Sequence, residues 1–212
     1  MIKLNIQLFG GRGASSSRSG SGKPNEATEH YVSGEGMWIN QYLRGQGDFG
    51  ELSNLEKEYL KDLDKATNGK IKNDTLYRNV DASAIFGDIS QNDYELLKEK
   101  IIYNENNKYT NATSDKYLKN IIGKSVKEKG FMSTTKDEKI ANDFDGYTGS
   151  SKPIIMKIKT SKNTKGVDLS RYDKNVSKGD AQKEVLLARK QQGKITNVYS
   201  KNGHIYVDFN ME

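Results

Sequence analysis

The sequence lacks cysteine altogether and contains only two histidines among its 212 residues. Without cysteine, the protein has no disulfide, no thiolate-bound zinc and no cysteine nucleophile. No apolar run approaches the roughly 20 residues that a membrane-spanning helix requires. The first residues, MIKLNIQLFGG, include a short apolar stretch, but Asn5 and Gln7 interrupt it and no signal-peptide cleavage site follows. With 33% hydrophobic and 29% charged residues, the sequence predicts a soluble protein with no membrane partner.

Most of the net charge of +6 lies at the amino terminus. Residues 1–25 contain Lys3, Arg12, Arg18 and Lys23 and no acidic side chain. The other 30 of the 34 basic side chains, and all 28 acidic ones, lie in the remaining 187 residues. Because the charges of these 187 residues nearly balance, they do not indicate a nucleic-acid-binding groove, and we expect no specific nucleic-acid partner.

The amino-terminal segment has the composition of a linker. Residues 10–25 are rich in glycine and serine with scattered arginines, a composition that predicts a flexible linker. The preceding MIKLNIQLFGGRGAS resembles the leader of many bacteriophage head and portal-associated proteins. We therefore predict a leader and linker over 1–28 and one folded domain over 29–212. The resemblance implies phage head components as partners and the bacterial cytoplasm or the virion as location, and export by a route without a signal peptide stays open.

Apolar residues recur at helical spacing in the first half of the predicted domain. Ser53 and Glu56 form a capping-box pair ahead of one of these segments. We predict one helix with Trp38, Ile39, Tyr42 and Leu43 that ends before Gly45, a second with Leu52, Leu55, Tyr59, Leu63 and Ala66 facing inward, a third over 90–99 and a fourth over 114–128 with Tyr117, Leu118, Ile121, Ile122 and Val126 facing inward.

Short segments rich in β-branched and aromatic residues dominate the second half, and Gly, Asn or Ser separates them. Because helices come first and strands follow, the order predicts an α+β fold and not repeated βαβ units. The predicted strands cover 75–80, 130–134, 153–159, 182–189, 194–199 and 204–209.

Three polar motifs lie on these strands. They are Arg78 in LYRNV, the run Ser133, Thr134 and Thr135 in GFMSTT, and the pair Gln182-x-Glu184 in DAQKEVLL. An arginine, a hydroxyl run or a polar pair on a strand each indicates little alone. Because side chains alternate along a strand, we expect the side chains of Gln182 and Glu184 to share one face.

Together and in this order, the motifs resemble the arginine, Ser-Thr-Ser and Glu/Gln-x-Glu elements of the toxin-like mono-ADP-ribosyltransferases. INQYLRG at 39–45 is similar to the amino-terminal helix of that family, and KGVDLSRY at 165–172 to the segment before its catalytic strand. The resemblance covers roughly 30–212. It implies amino-terminal helices packed on a two-sheet, mainly antiparallel β core, and an NAD-dependent enzyme that needs no metal.

The resemblance also assigns roles in NAD cleavage. It implies that Glu184 stabilises the positive charge on the ribose and that Ser133 holds the Glu184 carboxylate. It places Arg78 on the pyrophosphate of NAD, since a planar guanidinium can bind it through two parallel hydrogen bonds. Thr134 and Thr135 belong to the same NAD-binding element, and Phe144 or Tyr147 supplies an aromatic ring against the nicotinamide.

Gln182 indicates which acceptor is modified. In family members that act on arginine this position is Glu, whereas Gln182 resembles the Rho-modifying exoenzymes, in which a glutamine recognises an asparagine side chain. Tyr172, in the preceding loop, is the candidate aromatic contact to an unidentified protein acceptor, or packs on the sheet. Two alternatives stay open: an NAD glycohydrolase, in which water is the acceptor, and a phage head-associated structural protein that retains the fold.

Overall fold

The computed structural model describes residues 25–32, 36–46, 50–72, 74–101, 117–143, 151–170 and 182–212. In these ranges no helix is both long and apolar enough to cross a membrane. The helices are α1 (Glu26–His30), α2 (Gly36–Arg44), α3 (Asn54–Ala66), α4 (Ser83–Phe86), α5 (Gln91–Lys100) and α6 (Glu138–Asp143). The strands are β1 (Thr75–Asp81), β2 (Ser125–Lys127), β3 (Met132–Thr135), β4 (Pro153–Lys159), β5 (Gly166–Asp168), β6 (Glu184–Leu187), β7 (Gln192–Lys201) and β8 (His204–Met211).

The strands of the described residues form one eight-stranded sheet in the order β2-β7-β8-β4-β1-β3-β6-β5. All neighbouring pairs are antiparallel except β4 and β8, which run parallel. The predicted α+β class with a mainly antiparallel sheet is therefore confirmed. The expected division into two sheets is wrong, because Tyr77 of β1 pairs with Thr135 of β3. That single registered pair joins strands β2, β7, β8, β4 and β1 to strands β3, β6 and β5 in one sheet.

Two of the three apolar clusters of the described residues meet at the start of β3, where successive residues point to opposite faces of the sheet. Phe131 belongs to a cluster with buried residues of α1, α2 and α3, whereas the next residue, Met132, belongs to the larger cluster with α4 and α5. The first cluster contains Ala27, Tyr31, Val32, Ile39, Leu63, Phe131, Val167, Leu169 and Leu186.

Helix α3 begins where its sequence predicts. The hydroxyl of Ser53 accepts from the Glu56 amide at 3.3 Å, and the Glu56 carboxylate accepts from the Ser53 amide at 2.7 Å. Leu63 and Ala66 are fully buried as expected, but Leu55 is 77% exposed. The prediction that Leu55 faces inward is therefore wrong, although Leu63 and Ala66 on the same helix are buried.

Helix α1 includes residues that precede Glu29. Asn25 caps α1, since its side chain accepts from the Thr28 amide at 3.1 Å while the Thr28 hydroxyl accepts from the Asn25 amide at 2.9 Å. The buried core of the described residues includes Ala27 and Thr28.

Two other segments differ from the sequence-based assignment. The helix predicted over 114–128 is wrong in its described part, which forms turns over 117–123 and then strand β2. Gly123 has a φ of +88°, which ends the turns, and the β-branched Val126 pairs with Gly193 of β7. Strand β5 was not predicted, because its three residues carry too short a pattern.

The contrast between Leu63 and Leu55 gives a test of the packing of α3. Leu63→Ala should lower the free energy of unfolding by about 2–5 kcal/mol, because it removes a fully buried side chain. Leu55→Ala is the matched control on the same helix and should change it by no more than about 0.5 kcal/mol. Urea denaturation followed by circular dichroism measures both. Equal losses would show that α3 packs differently.

Candidate active site

Strands β3 and β6 bring Ser133 and Glu184 together. Ser133 is registered opposite Leu186, and Glu184 opposite Thr135. Ser133 and Glu184 are therefore diagonal neighbours whose side chains share one face of the sheet. The Ser133 hydroxyl donates to Glu184 Oε1 at 2.5 Å, and the two residues are 1% and 4% exposed. A hydrogen bond to an ionised carboxylate is stronger than one between neutral groups, so it holds the Glu184 side chain in one rotamer.

The next two hydroxyls fix the backbone beside this pair. The Thr134 hydroxyl donates to the Val185 carbonyl at 2.6 Å, and the Thr135 hydroxyl donates to the Gln182 carbonyl at 2.7 Å. Thr135 Oγ1 also accepts from the Asp137 amide at 3.1 Å, just before α6. The hydroxyl run thus ties β3 to the whole 182–185 segment.

Gln182 lies outside the strand that was predicted to contain it. Strand β6 begins at Glu184, and Lys183 has a φ of 48°, in the left-handed region. The expectation that strand alternation places Gln182 and Glu184 on one face is therefore wrong, because alternation requires extended backbone on both sides of Lys183. Lys183 Nζ lies 2.7 Å from Asp137 Oδ2, and this ion pair holds the turn against the start of α6. Gln182 itself is half-buried.

Arg78 is buried within β1, with 1% of its surface exposed. Burial is the main cause that lowers the pKa of its guanidinium to about 10, and the positive charge of Arg44 lowers it further. The charges of Glu128 and Tyr31 oppose this shift. Three side chains from separate parts of the chain, Arg44, Glu128 and Tyr31, therefore lie close enough to act on Arg78.

Arg44 and Glu128 were not predicted from the sequence as members of the site. Arg44 Nε donates to Glu128 Oε1 at 2.9 Å, and the two side chains are 5% and 2% exposed. Arg44 Nη2 donates to the Phe131 carbonyl at 3.4 Å. Arg44 Nη1 is buried and donates no hydrogen bond to the described residues. The signal for Arg44 was the INQYLRG segment, whereas the sequence carried none for Glu128.

Asn40 of α2 makes buried contacts with Tyr31, which follows α1, and with Phe131, which precedes β3. Asn40 Nδ2 donates to the Tyr31 hydroxyl at 2.7 Å, and Asn40 Oδ1 accepts from the Phe131 amide at 2.8 Å. Burial raises the pKa of the Tyr31 hydroxyl, and the negative charge of Glu184 raises it further. Tyr31 therefore lies within electrostatic reach of both Glu184 and Arg78.

Phe144, Tyr147 and Tyr172 lie outside the described residues, so their roles stay predictions. In the described ranges, no group of three or more His, Asp or Glu side chains is arranged to bind a metal ion.

The profile of the ADP-ribosyltransferase exoenzyme family matches residues 8–210, nearly the whole chain. The chain belongs to this family. This membership identifies the protein as an NAD-dependent transferase, and Arg78, Ser133 and Glu184 lie at its candidate active site. A comparison with curated proteins finds no match.

Solved ADP-ribosyltransferases share the fold. One from Clostridium botulinum is 21% identical with a TM-score of 0.59, and the match covers 88% of this chain and 84% of that one. The C3larvin toxin from Paenibacillus larvae is 22% identical with a TM-score of 0.57, covering 88% and 86%. The toxin Vis from Vibrio splendidus is 18% identical with a TM-score of 0.52, covering 88% and 71%.

Gly130 allows the approach of α2 that this ADP-ribosyltransferase site needs. A Cβ at this position would lie 2.5 Å from Asn40 Oδ1, the atom that accepts from the Phe131 amide. Gly130→Ala should therefore lower the free energy of unfolding by about 1–3 kcal/mol. Gly50→Ala is the matched control, since nothing lies within 4 Å of its added Cβ. Thermal unfolding of the two variants measures the difference, and equal midpoints would contradict the close approach.

Proposed function

We propose that this protein transfers ADP-ribose from NAD to a protein side chain, with an amide or hydroxyl favoured over arginine, and releases nicotinamide. The observation that carries the proposal is the buried hydrogen bond of 2.5 Å from Ser133 to Glu184, in a chain that belongs to the ADP-ribosyltransferase exoenzyme family. A buried carboxylate in a fixed rotamer is the group that cleavage of a glycosidic bond through a positively charged sugar requires.

Glu184 acts on the ribose. Nicotinamide departs as a neutral ring from a positively charged nitrogen, so its departure needs no general acid. The remaining ribosyl group develops positive charge, which a fixed carboxylate stabilises without reorganisation. Ser133 holds the carboxylate through Oε1, so Glu184 is the catalytic residue and Ser133 its support.

The pyrophosphate of NAD carries two negative charges, and two buried guanidiniums in the site fit it. Arg78 is one, and its pKa of about 10 leaves it charged at neutral pH. Arg44 is the other, with the buried Nη1 that donates no hydrogen bond to the described residues. We infer that both bind the pyrophosphate, because guanidiniums bind phosphate oxygens through paired, charge-assisted hydrogen bonds.

Gln182 recognises the acceptor. An amide donates and accepts hydrogen bonds but cannot take a proton from a guanidinium or balance its charge. The backbone carbonyl of Gln182 accepts a hydrogen bond from the Thr135 hydroxyl, so the backbone of Gln182 is anchored next to Glu184. We propose that Tyr172 contacts the same acceptor and that Phe144 or Tyr147 packs against the nicotinamide.

The amino-terminal segment is a separate part of the proposal. Its resemblance to bacteriophage leaders supports a prophage origin, with phage head components as partners and the bacterial cytoplasm or the virion as location. The domain that contains Arg78 and Glu184 would then be carried behind a leader and linker. Mass spectrometry of purified virions from an induced lysogen tests this part, and absence of the protein from them would contradict it.

Glu184→Gln should reduce nicotinamide release from NAD on the order of a hundredfold or more, because it removes the charge that stabilises the ribosyl cation and keeps the shape. NAD binding, measured by calorimetric titration, should largely remain. Glu58→Gln, on the exposed surface of α3, is the control and should behave like the unmodified protein. Near-normal cleavage by Glu184→Gln would remove Glu184 from the mechanism.

Gln182→Ala should suppress transfer to protein and leave most of the NAD hydrolysis, because Gln182 contacts the acceptor and not the glycosidic bond. The measurement compares labelling of lysate proteins by radiolabelled NAD with nicotinamide release. The guanidinium compound agmatine should be a poor acceptor for the unmodified protein. If labelling and hydrolysis fell together, Gln182 would support the chemistry itself and the proposed division would fail.

A further inference from the structure

We propose that Glu128 is a positioning residue that fixes the Arg44 guanidinium beside Arg78, so that both guanidiniums are directed at the pyrophosphate of NAD. This inference rests on the proposed function. It assigns a role to a buried carboxylate that makes no contact with Ser133 or Glu184 in the described hydrogen bonds.

The Glu128 carboxylate is held in place from several directions. Its Oε1 accepts from Arg44 Nε at 2.9 Å and from the Gly130 amide at 2.7 Å. The Glu128 amide donates to the Gln191 carbonyl at 3.0 Å, and the Glu128 carbonyl accepts from the Lys190 amide at 2.8 Å. With its backbone paired on both sides and its side chain 2% exposed, Glu128 offers Arg44 a fixed partner.

The contact fixes how the Arg44 guanidinium is oriented. Nε is bonded to Glu128 and Nη2 to the Phe131 carbonyl, so the rigid plane of the group is set by two contacts. Nη1 is left with no acceptor among the described residues. A buried donor without a partner is costly, and an anionic oxygen is the partner that satisfies it best.

Glu128 also supplies charge. Two guanidiniums close enough for one to lower the pKa of the other repel each other, and burial increases that repulsion. The Glu128 charge acts on Arg78 in the opposite direction. One carboxylate therefore serves as counter-ion for Arg44 by contact and for Arg78 through space, which allows both cations to be buried before NAD binds.

The alternative role for Glu128 is purely structural, since a buried ion pair can hold two elements together without touching ligand binding. Asp64 of α3 and Arg189, which follows β6, provide the control pair, because neither acts on Arg78 or Glu184 in the contacts described above. They form two parallel hydrogen bonds of 2.8 and 2.7 Å, and their side chains are 40% and 19% exposed, so the control is less buried than Glu128 and Arg44. Asp64→Asn and Glu128→Gln each replace the carboxylate that bonds to an arginine by an amide of the same shape.

The test measures steady-state nicotinamide release for both variants. Glu128→Gln retains an oxygen that accepts from Arg44 and Gly130 but loses the charge. We expect its KM for NAD to rise on the order of tenfold, with kcat within about threefold of the unmodified protein. Asp64→Asn should leave both constants unchanged. An unchanged KM in Glu128→Gln, a fall confined to kcat, or an equal rise in Asp64→Asn would overturn the role.

The pH dependence separates a role in charge from one in packing. The charged groups that act on Arg78 are Arg44 from α2, Glu128 after β2 and Tyr31 after α1, and Glu184 from β6 acts on Tyr31. Loss of the Glu128 charge lowers the pKa of Arg78, so this guanidinium loses its proton at a lower pH. The KM of Glu128→Gln should therefore begin to rise at a lower pH than that of the unmodified protein. Coincident profiles would contradict the proposal.

A double mutant tests whether Glu128 acts through Arg44. If it does, Glu128→Gln should not change the KM further in an Arg44→Gln background. Additive effects would overturn the proposal. The double variant contains no uncompensated buried charge from this pair. Its KM is compared with that of Arg44→Gln, so the test can be made even if Glu128→Gln alone does not fold. An unmodified protein that releases no nicotinamide would instead refute the proposed function, which keeps the two failures distinct.

Discussion

The burial of two guanidiniums and two carboxylates in one site is the constraint on which the rest of this structure depends. Arg44 and Arg78 are both removed from water, and so are the carboxylates of Glu128 and Glu184. Leaving one such charge without compensation costs about 3–5 kcal/mol, which is a large part of the stability of a domain. The parts of the chain that carry these groups are α2, β1, β6 and the segment after β2, and they must therefore be placed accurately. The polar contacts between them serve folding and, as we propose, the binding of NAD.

Helix α2 shows how this requirement shapes the packing. Asn40 and Arg44 lie one turn apart, so they project from the same side of the helix toward residues 128–131. Asn40 donates to the Tyr31 hydroxyl and accepts from the Phe131 amide, and Arg44 donates to Glu128. Gly130 lets the helix approach closely enough for both contacts. A helix with only apolar residues on this side would pack as well but would bring no cation to Arg78.

The sequence was most informative where a local pattern and a chemical requirement coincide. The capping box of α3 and strands β1 and β4 follow from local sequence patterns, whereas the approach of Ser133 to Glu184 follows from the resemblance of their motifs to those of the family. The turn at Lys183 and the role of Glu128 could not be predicted in this way. A left-handed lysine has no sequence signature, and Glu128 depends on a partner 84 residues away, which only the tertiary structure identifies. The failed helix over 114–128 had apolar spacing that fitted a helix equally well, although Gly123 interrupts it.

The single pair of residues that connects β1 to β3 has a mechanical consequence. Arg78 lies on one side of this seam, and Ser133 and Glu184 lie on the other. Besides that pair, side chains connect the strands on the Arg78 side to α6, which follows β3. Asn79 donates to the Ala141 carbonyl at 3.1 Å, and the Tyr206 hydroxyl donates to Glu138 at 2.9 Å. Few backbone hydrogen bonds of the sheet thus oppose movement of β3, β6 and β5 relative to the other five strands. A bound molecule that contacts both groups of strands would oppose that movement. Ligand affinity and resistance to unfolding would then rise together, because whatever binds across the seam stabilises only its closed form.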